Sequence, residues 1–265
     1  MRTTMLDLRR AAAERKIAML TCYDASFATV LDHAGIDTLL IGDSLGMVIQ
    51  GHASTLPVTV DDVAYHTRAV ERGSLRAFIV ADMPFGSYQG GPPQALDNAV
   101  RLMQAGAQMV KLEGGDEMAP TIAFLVERGI PVCAHVGLTP QHVNRFGGYR
   151  IQGRGQAAAR IRAAARSVVQ AGAEMMVIEA VPEPLARAIA SESKALTIGI
   201  GASAACNGQV LVLHDMLGVF TDRRPRFVKN FLLESGSVEA AARAYLEQVR
   251  SGTFPTAEHV YPESS

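Results

Sequence analysis

Short apolar runs alternate with polar, helix-patterned stretches along almost the whole chain. The runs IAMLTC (17–22), TLLIGD (38–43), AFIVAD (77–82), MVKLE (109–113), IPVCAH (130–135), MMVIE (175–179), ALTIGIGA (195–202) and QVLVL (209–213) have the length and continuity of buried parallel strands. The stretches between them repeat at helical spacing. Thr59-Val60-Asp61-Asp62 resembles a capping box opening a helix that runs to about Glu71, and Ala95, Ala99 and Leu102 or Met103 share one helical face. Gln156 to Gln170 is alanine-rich, with Ile161, Ala165 and Val168 aligned.

Glycine punctuates the return to five of the eight runs. Ala34-Gly35, Ala105-Gly106 and Ala171-Gly172 each precede a run that ends in a carboxylate, and Arg72-Gly73 and Arg128-Gly129 are looser copies. The residue after a helix often adopts a left-handed conformation, which glycine takes without steric cost. Eight such strand-then-helix units predict a (β/α)8 TIM barrel formed by residues 1–265 as a single domain, with a doubly wound open sheet as the alternative.

In either architecture the carboxyl ends of parallel strands open on one face, where ligands bind. Asp43, Asp82, Glu113, His135 and Glu179 therefore converge, although any one of them alone could be an ordinary turn or capping residue. Side chains two apart on a strand point the same way, which places Lys111 beside Glu113. Lys111 is then either an ion-pair partner of Glu113 or Asp82, or a clamp for an anionic substrate. Glu179, alone in an apolar run, reads as a general base or a strand-end turn residue. His135 reads as a substrate hydrogen-bond donor or a packing residue.

Charge and composition narrow the partners. The chain has 265 residues with 25 basic and 26 acidic side chains spread without blocks, leaving no electrostatic footprint for nucleic acid or an anionic membrane. A small-molecule partner is expected. Cys22, Cys133 and Cys206 lack any paired or metal-binding spacing and read as core residues of a cytoplasmic protein. The segment MRTTMLDLRRAAAERK lacks the apolar core of a signal peptide, and no later run is long enough to span a bilayer.

Asp43, Asp82 and Glu113 are an oxygen-only set, which suits Mg²⁺ better than zinc or copper. A chelating 2-oxo acid would complete the ion's coordination, and the ion would acidify the neighbouring C–H bond. Lys111 could then meet the substrate carboxylate. Gly199-Ile200-Gly201 contains GxG without a dinucleotide-binding context. The connection 137–155 has the length and composition of a lid or assembly contact, and the tail from Thr253 shows no site signal.

The motifs TCYDASFA, GDSLGMVIQGHASTLPVT, YHTRAV, VADMPFGSYQ, KLEGG, HVGLTPQ, GGYRIQGR and VIEAVP together resemble the ketopantoate hydroxymethyltransferase family, from about Lys16 to Tyr261. The resemblance implies Mg²⁺, one per subunit, on Asp43 and Asp82 with Glu113 in the same site. It implies oxo-acid contacts from Asp43, Ser44, Asp82 and Lys111, and Glu179 as proton acceptor. The implied reaction passes a one-carbon unit from 5,10-methylenetetrahydrofolate to 3-methyl-2-oxobutanoate through a metal-stabilised enolate, giving 2-dehydropantoate. A cytoplasmic homo-oligomer, a decamer in bacterial relatives, is implied as well. Ser203, Asn207 and Ala180 depart from the family pattern, standing where Gly, Asp and Cys or Gly are familiar. Other Mg²⁺-dependent oxo-acid enzymes, resembling the phosphoenolpyruvate mutase and isocitrate lyase group, are the rival, but their KKCGH-type motif is absent.

Overall fold

A computed structural model describes residues 2–219 and 224–263. Its strands are β1 (Ile17–Thr21), β2 (Thr38–Ile41), β3 (Phe78–Asp82), β4 (Met109–Glu113), β5 (Val132–Gly137), β6 (Met175–Glu179), β7 (Leu196–Ile200) and β8 (Gly208–Leu211). Every neighbouring pair is parallel, and β1 pairs with β8 through Ile17↔Gly208 to Leu20↔Leu211, so the sheet closes into a barrel. That closure excludes the open-sheet alternative.

Strand periodicity divides the apolar residues into two cores. Ala18, Leu20, Leu39, Ile41, Ile79, Val110, Val132 and Ile178 face the surrounding helices. Their neighbours Met19, Leu40, Val80, Met109, Cys133, Val177, Ile198 and Val210 fill the barrel interior. Asp82, Lys111, Glu113, His135 and Glu179 continue that inward set upward by steps of two. Among the described residues, a barrel packed with apolar side chains below thus carries charge only at its carboxyl-end mouth.

The opposite end is plugged by a helix, Met5–Glu14, that the strand pattern does not announce. Thr4 and Asp7 form its capping box, and Leu8 inserts into the interior core with 1% of its surface exposed. The seam is tied from outside by the helix Val238–Arg250, whose Tyr245 hydroxyl lies 2.9 Å from the carbonyls of both Met19 on β1 and Gln209 on β8.

The capping box at Thr59 and Asp62 opens the helix Val60–Gly73, and the expected helices Pro92–Gln104 and Ala157–Gln170 are present. Gly35, Gly106 and Gly172 have φ of 94°, 113° and 104°, as the helix-ending motif requires. Gly73 has another reason to be glycine. A Cβ there would stand 2.2 Å from the Ala25 carbonyl oxygen, so the residue permits close contact between helices. The three cysteines are buried and unpaired. Burial pushes the Cys22 and Cys133 thiols up to about 12 and the Cys206 thiol up to about 11, which leaves them inert. No helix among the described residues is long and apolar enough to cross a membrane.

Candidate active site

The expected ionisable strand ends meet at the barrel mouth. Register places Asp82 beside Lys111 and Glu113 beside His135, so adjacent strands deliver opposite charges side by side. Lys111 Nζ lies 2.5 Å from Asp82 Oδ1 and 3.9 Å from Glu113 Oε1. His135 spans two carboxylates, with Nδ1 3.3 Å from Glu113 Oε1 and Nε2 3.2 Å from Glu179 Oε2. Neither histidine contact has directed hydrogen-bond geometry, and both are ion-pair distances.

Asp43 arrives differently. It lies two residues beyond β2, in a turn whose Asp43 N–H donates to Asp82 Oδ2 at 3.2 Å. The next residue, Ser44, shares a hydrogen bond of 2.9 Å with the Tyr23 hydroxyl and lines the cleft.

Gln141 is a site residue that sequence reasoning missed, although it closes the motif HVGLTPQ. It is buried, and its side-chain amide donates to Asp43 Oδ2 and to the Met83 carbonyl, each at 2.9 Å. Its backbone N–H donates to Glu113 Oε2 at 2.9 Å, and its Oε1 accepts from the Tyr88 hydroxyl at 2.5 Å. The start of the connection 137–155 is therefore a fixed wall of the site rather than a free lid.

Electrostatics follow from burial and crowding. Burial, reinforced by the charges of Asp82 and Glu113, pushes the Asp43 carboxyl well above the usual range. Burial raises Asp82 too, although the Lys111 ammonium offsets part of it. For Glu113 burial is outweighed by His135 and Lys111, and its carboxyl is held low. Burial disfavours the Lys111 ammonium, but Asp82, Glu113 and Asp43 more than restore it. Burial and Lys111 likewise oppose the His135 imidazolium, yet Glu113 and Glu179 raise it to about 9.

Among the described residues no group of three or more His, Cys, Asp or Glu side chains is drawn together as a metal cage. The donors present nonetheless fit Mg²⁺, which takes one or two protein carboxylates and keeps several waters. Asp43 and Asp82 are adjacent, buried, oxygen-only, and destabilised by mutual repulsion that a divalent cation would relieve. Glu113 stands next to that pair, with its oxygens turned toward Lys111, His135 and Gln141.

Glu179 is less enclosed than its apolar run suggests. Its side chain is 14% exposed and borders a cleft of about 1150 Å³ that opens above the charged floor. Ala180, which follows it, is buried with φ 45°, the one positive φ outside glycine among the described residues. Ser203 and Asn207 serve the turn between β7 and β8. Ser203 donates to Glu183 at 2.6 Å, and Asn207 accepts from the Thr197 backbone and hydroxyl at 3.0 and 2.9 Å. Tyr261, in the tail that showed no site signal, lines the cleft.

A family model described as ketopantoate hydroxymethyltransferase matches residues 2–257. The 3-methyl-2-oxobutanoate hydroxymethyltransferase of Azoarcus sp. (strain BH72) is 60% identical over 261 residues, covering 97% of this chain and 96% of the relative. The enzyme of the same name from Thiobacillus denitrificans is 61% identical over 260 residues, covering 98% of both. Among solved structures, oxaloacetate acetylhydrolase with 3,3-difluorooxalacetate superposes with a TM-score of 0.63 at 13% identity, over 96% of this chain and 98% of the other. Phosphonopyruvate hydrolase with oxalate and Mg²⁺ gives a TM-score of 0.60 at 13% identity, over 79% and 81%. Those two share the barrel, whereas the sequence matches carry the family. The chain belongs to the ketopantoate hydroxymethyltransferase family.

Proposed function

We propose that this protein transfers a hydroxymethyl unit from 5,10-methylenetetrahydrofolate to 3-methyl-2-oxobutanoate in pantothenate biosynthesis. The products are 2-dehydropantoate and tetrahydrofolate, with water supplying the new hydroxyl group. A cytoplasmic homo-oligomer, a decamer by family resemblance, belongs to the same reading.

The observation that carries this reading is the division of the carboxylates. Asp43, Asp82 and Glu113 line the floor of the cleft with almost none of their surface exposed, while Glu179, with its side chain 14% exposed, borders the cleft on the far side of His135. A buried oxygen-only pair suits a metal, and a carboxylate on the cleft edge suits proton transfer. Asp43 and Asp82 would hold Mg²⁺, with Glu113 beside them. When bound, the ion polarises the keto oxygen and acidifies the C3–H bond. Lys111 receives the charge of the substrate carboxylate, Ser44 offers it a hydroxyl, and His135 keeps Glu179 in place. Glu179 takes the C3 proton, so that C3 can form its new bond to the one-carbon unit.

Proton abstraction precedes the donor step and can be read by itself. With Mg²⁺ and 3-methyl-2-oxobutanoate but no folate, the enzyme should exchange the C3 proton with deuterated solvent. Glu179→Gln should still bind metal and oxo acid while exchanging at least about a hundredfold more slowly, the lower end of what a positioned base contributes. Near-normal exchange by that variant would pass the role of base to His135. Absence of exchange in the wild type would favour a non-catalytic oxo-acid binder.

A further inference from the structure

The cleft is larger than the acceptor and is divided by charge. Its 1150 Å³ lies above the roughly 300–1,000 Å³ usual for a small-molecule pocket, and a five-carbon oxo acid would fill only its floor. The floor is acidic, but the outer lining holds Arg150, Arg224 and Arg226 together with Tyr149, Phe227 and Tyr261. Arg224 is engaged by the Val228 carbonyl and by the nearby charge of Asp215. Arg226 uses only Nε, which donates to the Glu258 carbonyl at 2.9 Å, and both terminal nitrogens remain for an anion. Among the described residues no carboxylate pairs with Arg150 or Arg226.

Backbone contacts hold Tyr261 in place, and both rings pack over Gly201. Tyr261 bridges to Pro182, and its carbonyl accepts from Glu183 N–H at 2.8 Å. At Gly201, with φ 57°, an added Cβ would lie 2.7 Å from the Phe227 ring and 3.0 Å from the Tyr261 ring. Glycine thus lets both aromatics close onto the end of β7. Two aromatic rings at the end of β7, beside guanidinium groups with terminal nitrogens to spare, match a ligand with a flat ring at one end and carboxylates at the other.

We propose that this outer half of the cleft binds the one-carbon donor, with its heteroaromatic ring against Phe227 and Tyr261 and its glutamate tail on Arg150 and Arg226. The assignment rests on the reaction proposed above. It orients the donor from the rim inward, with the reactive end toward Glu179.

Binding of tetrahydrofolate and of tetrahydropteroate, which lacks the glutamate, tests the site by calorimetry in the presence of oxo acid and Mg²⁺. The wild type should bind tetrahydrofolate at least about tenfold more tightly, the effect of one charge-assisted contact. The double variant R150Q/R226Q should bind both compounds with the affinity that the wild type shows for tetrahydropteroate. F227A should weaken both compounds equally, since it removes the ring contact. A double variant that still prefers tetrahydrofolate tenfold, or that loses both compounds alike, would overturn the assignment. A wild type that exchanges the C3 proton yet binds the two compounds equally would overturn this site while leaving the oxo-acid chemistry standing. A wild type without that exchange would instead sink the reaction on which the site rests.

Discussion

His135 Nε2 stands 3.2 Å from the Glu179 carboxylate, and the same ring reaches Glu113 through Nδ1 at 3.3 Å. One buried imidazole therefore links the metal-side floor to the cleft-side carboxylate. Burial and Lys111 work against its charge, but Glu113 and Glu179 lift its pKa to about 9 from an ordinary value of 6.5. A raised histidine contributes stability that is full below the unfolded value and lost as pH rises through the folded one. The metal-free protein should therefore lose roughly 3 kcal/mol between about pH 6.5 and 9. His135→Gln should flatten that slope, as read by urea midpoints across the pH range. An equal slope in the variant would mean that the ring is neutral in the folded protein.

Lys111 balances three buried carboxylates, with Asp82 its nearest partner at 2.5 Å. Removing one partner from a buried ion pair leaves uncompensated charge, at a cost of about 3–5 kcal/mol. Lys111→Met should lower stability by that order and weaken oxo-acid binding. Because Mg²⁺ would take over part of the lost positive charge, the metal should raise the melting temperature of the variant more than that of the wild type. Equal metal effects in the two proteins would argue that Asp43 and Asp82 do not hold the ion.

The barrel and most of its charged mouth are legible in the sequence because both depend on period-two alternation. That rule alone places Asp82, Lys111, Glu113, His135 and Glu179 on one side of consecutive strands. Asp43 lies past the end of β2, and only its turn brings its backbone to Asp82. Gln141 is invisible to the same rule, because it lies in an aperiodic connection and acts through side-chain and backbone groups at once. The plug helix Met5–Glu14 lays a short stripe of Met5, Leu8, Ala11 and Ala12 against the interior core, but only Leu8 is fully buried and its alanines carry little hydrophobic signal. Tyr261 reaches the cleft through a backbone bridge to Pro182, a contact between distant segments that no local pattern encodes.

The Gln141 amide tests how far that aperiodic wall matters. It holds Asp43 Oδ2 and the Met83 carbonyl, and it receives the Tyr88 hydroxyl. Gln141→Leu keeps much of the volume but takes a donor from Asp43 Oδ2 and the Met83 carbonyl, at about 1–3 kcal/mol each where water cannot replace the bond, while the Tyr88 hydroxyl keeps its contacts with the Glu113 backbone. Stability should fall by several kcal/mol, and Mg²⁺ affinity should fall with it as Asp43 loses its anchor. Gln141→Glu should restore neither, because a carboxylate cannot donate to Asp43. Denaturant melts with and without Mg²⁺ separate the two effects, and unchanged metal affinity in the leucine variant would show that Asp43 needs no help from Gln141.

Ala180 sits immediately after Glu179 with φ 45°, where a Cβ crowds the backbone. A left-handed residue other than glycine carries a strain of about 1–2 kcal/mol. Glycine would remove that strain while adding about 0.4–1 kcal/mol of freedom to the unfolded chain. Ala180→Gly should therefore stabilise the protein by between about 0 and 1.6 kcal/mol. Ala180→Val should be much worse, since β-branching is least compatible with this conformation and the site is 2% exposed. The backbone here is held from both sides, with Ala180 N–H donating to Ile200 and the Ala180 carbonyl accepting from Gln152, at 2.9 and 3.0 Å. A forced shift would carry Glu179 away from His135. The valine variant should lose C3 proton exchange along with stability, while the glycine variant keeps both. A valine variant as stable as the wild type would show that the backbone relaxes freely at this position.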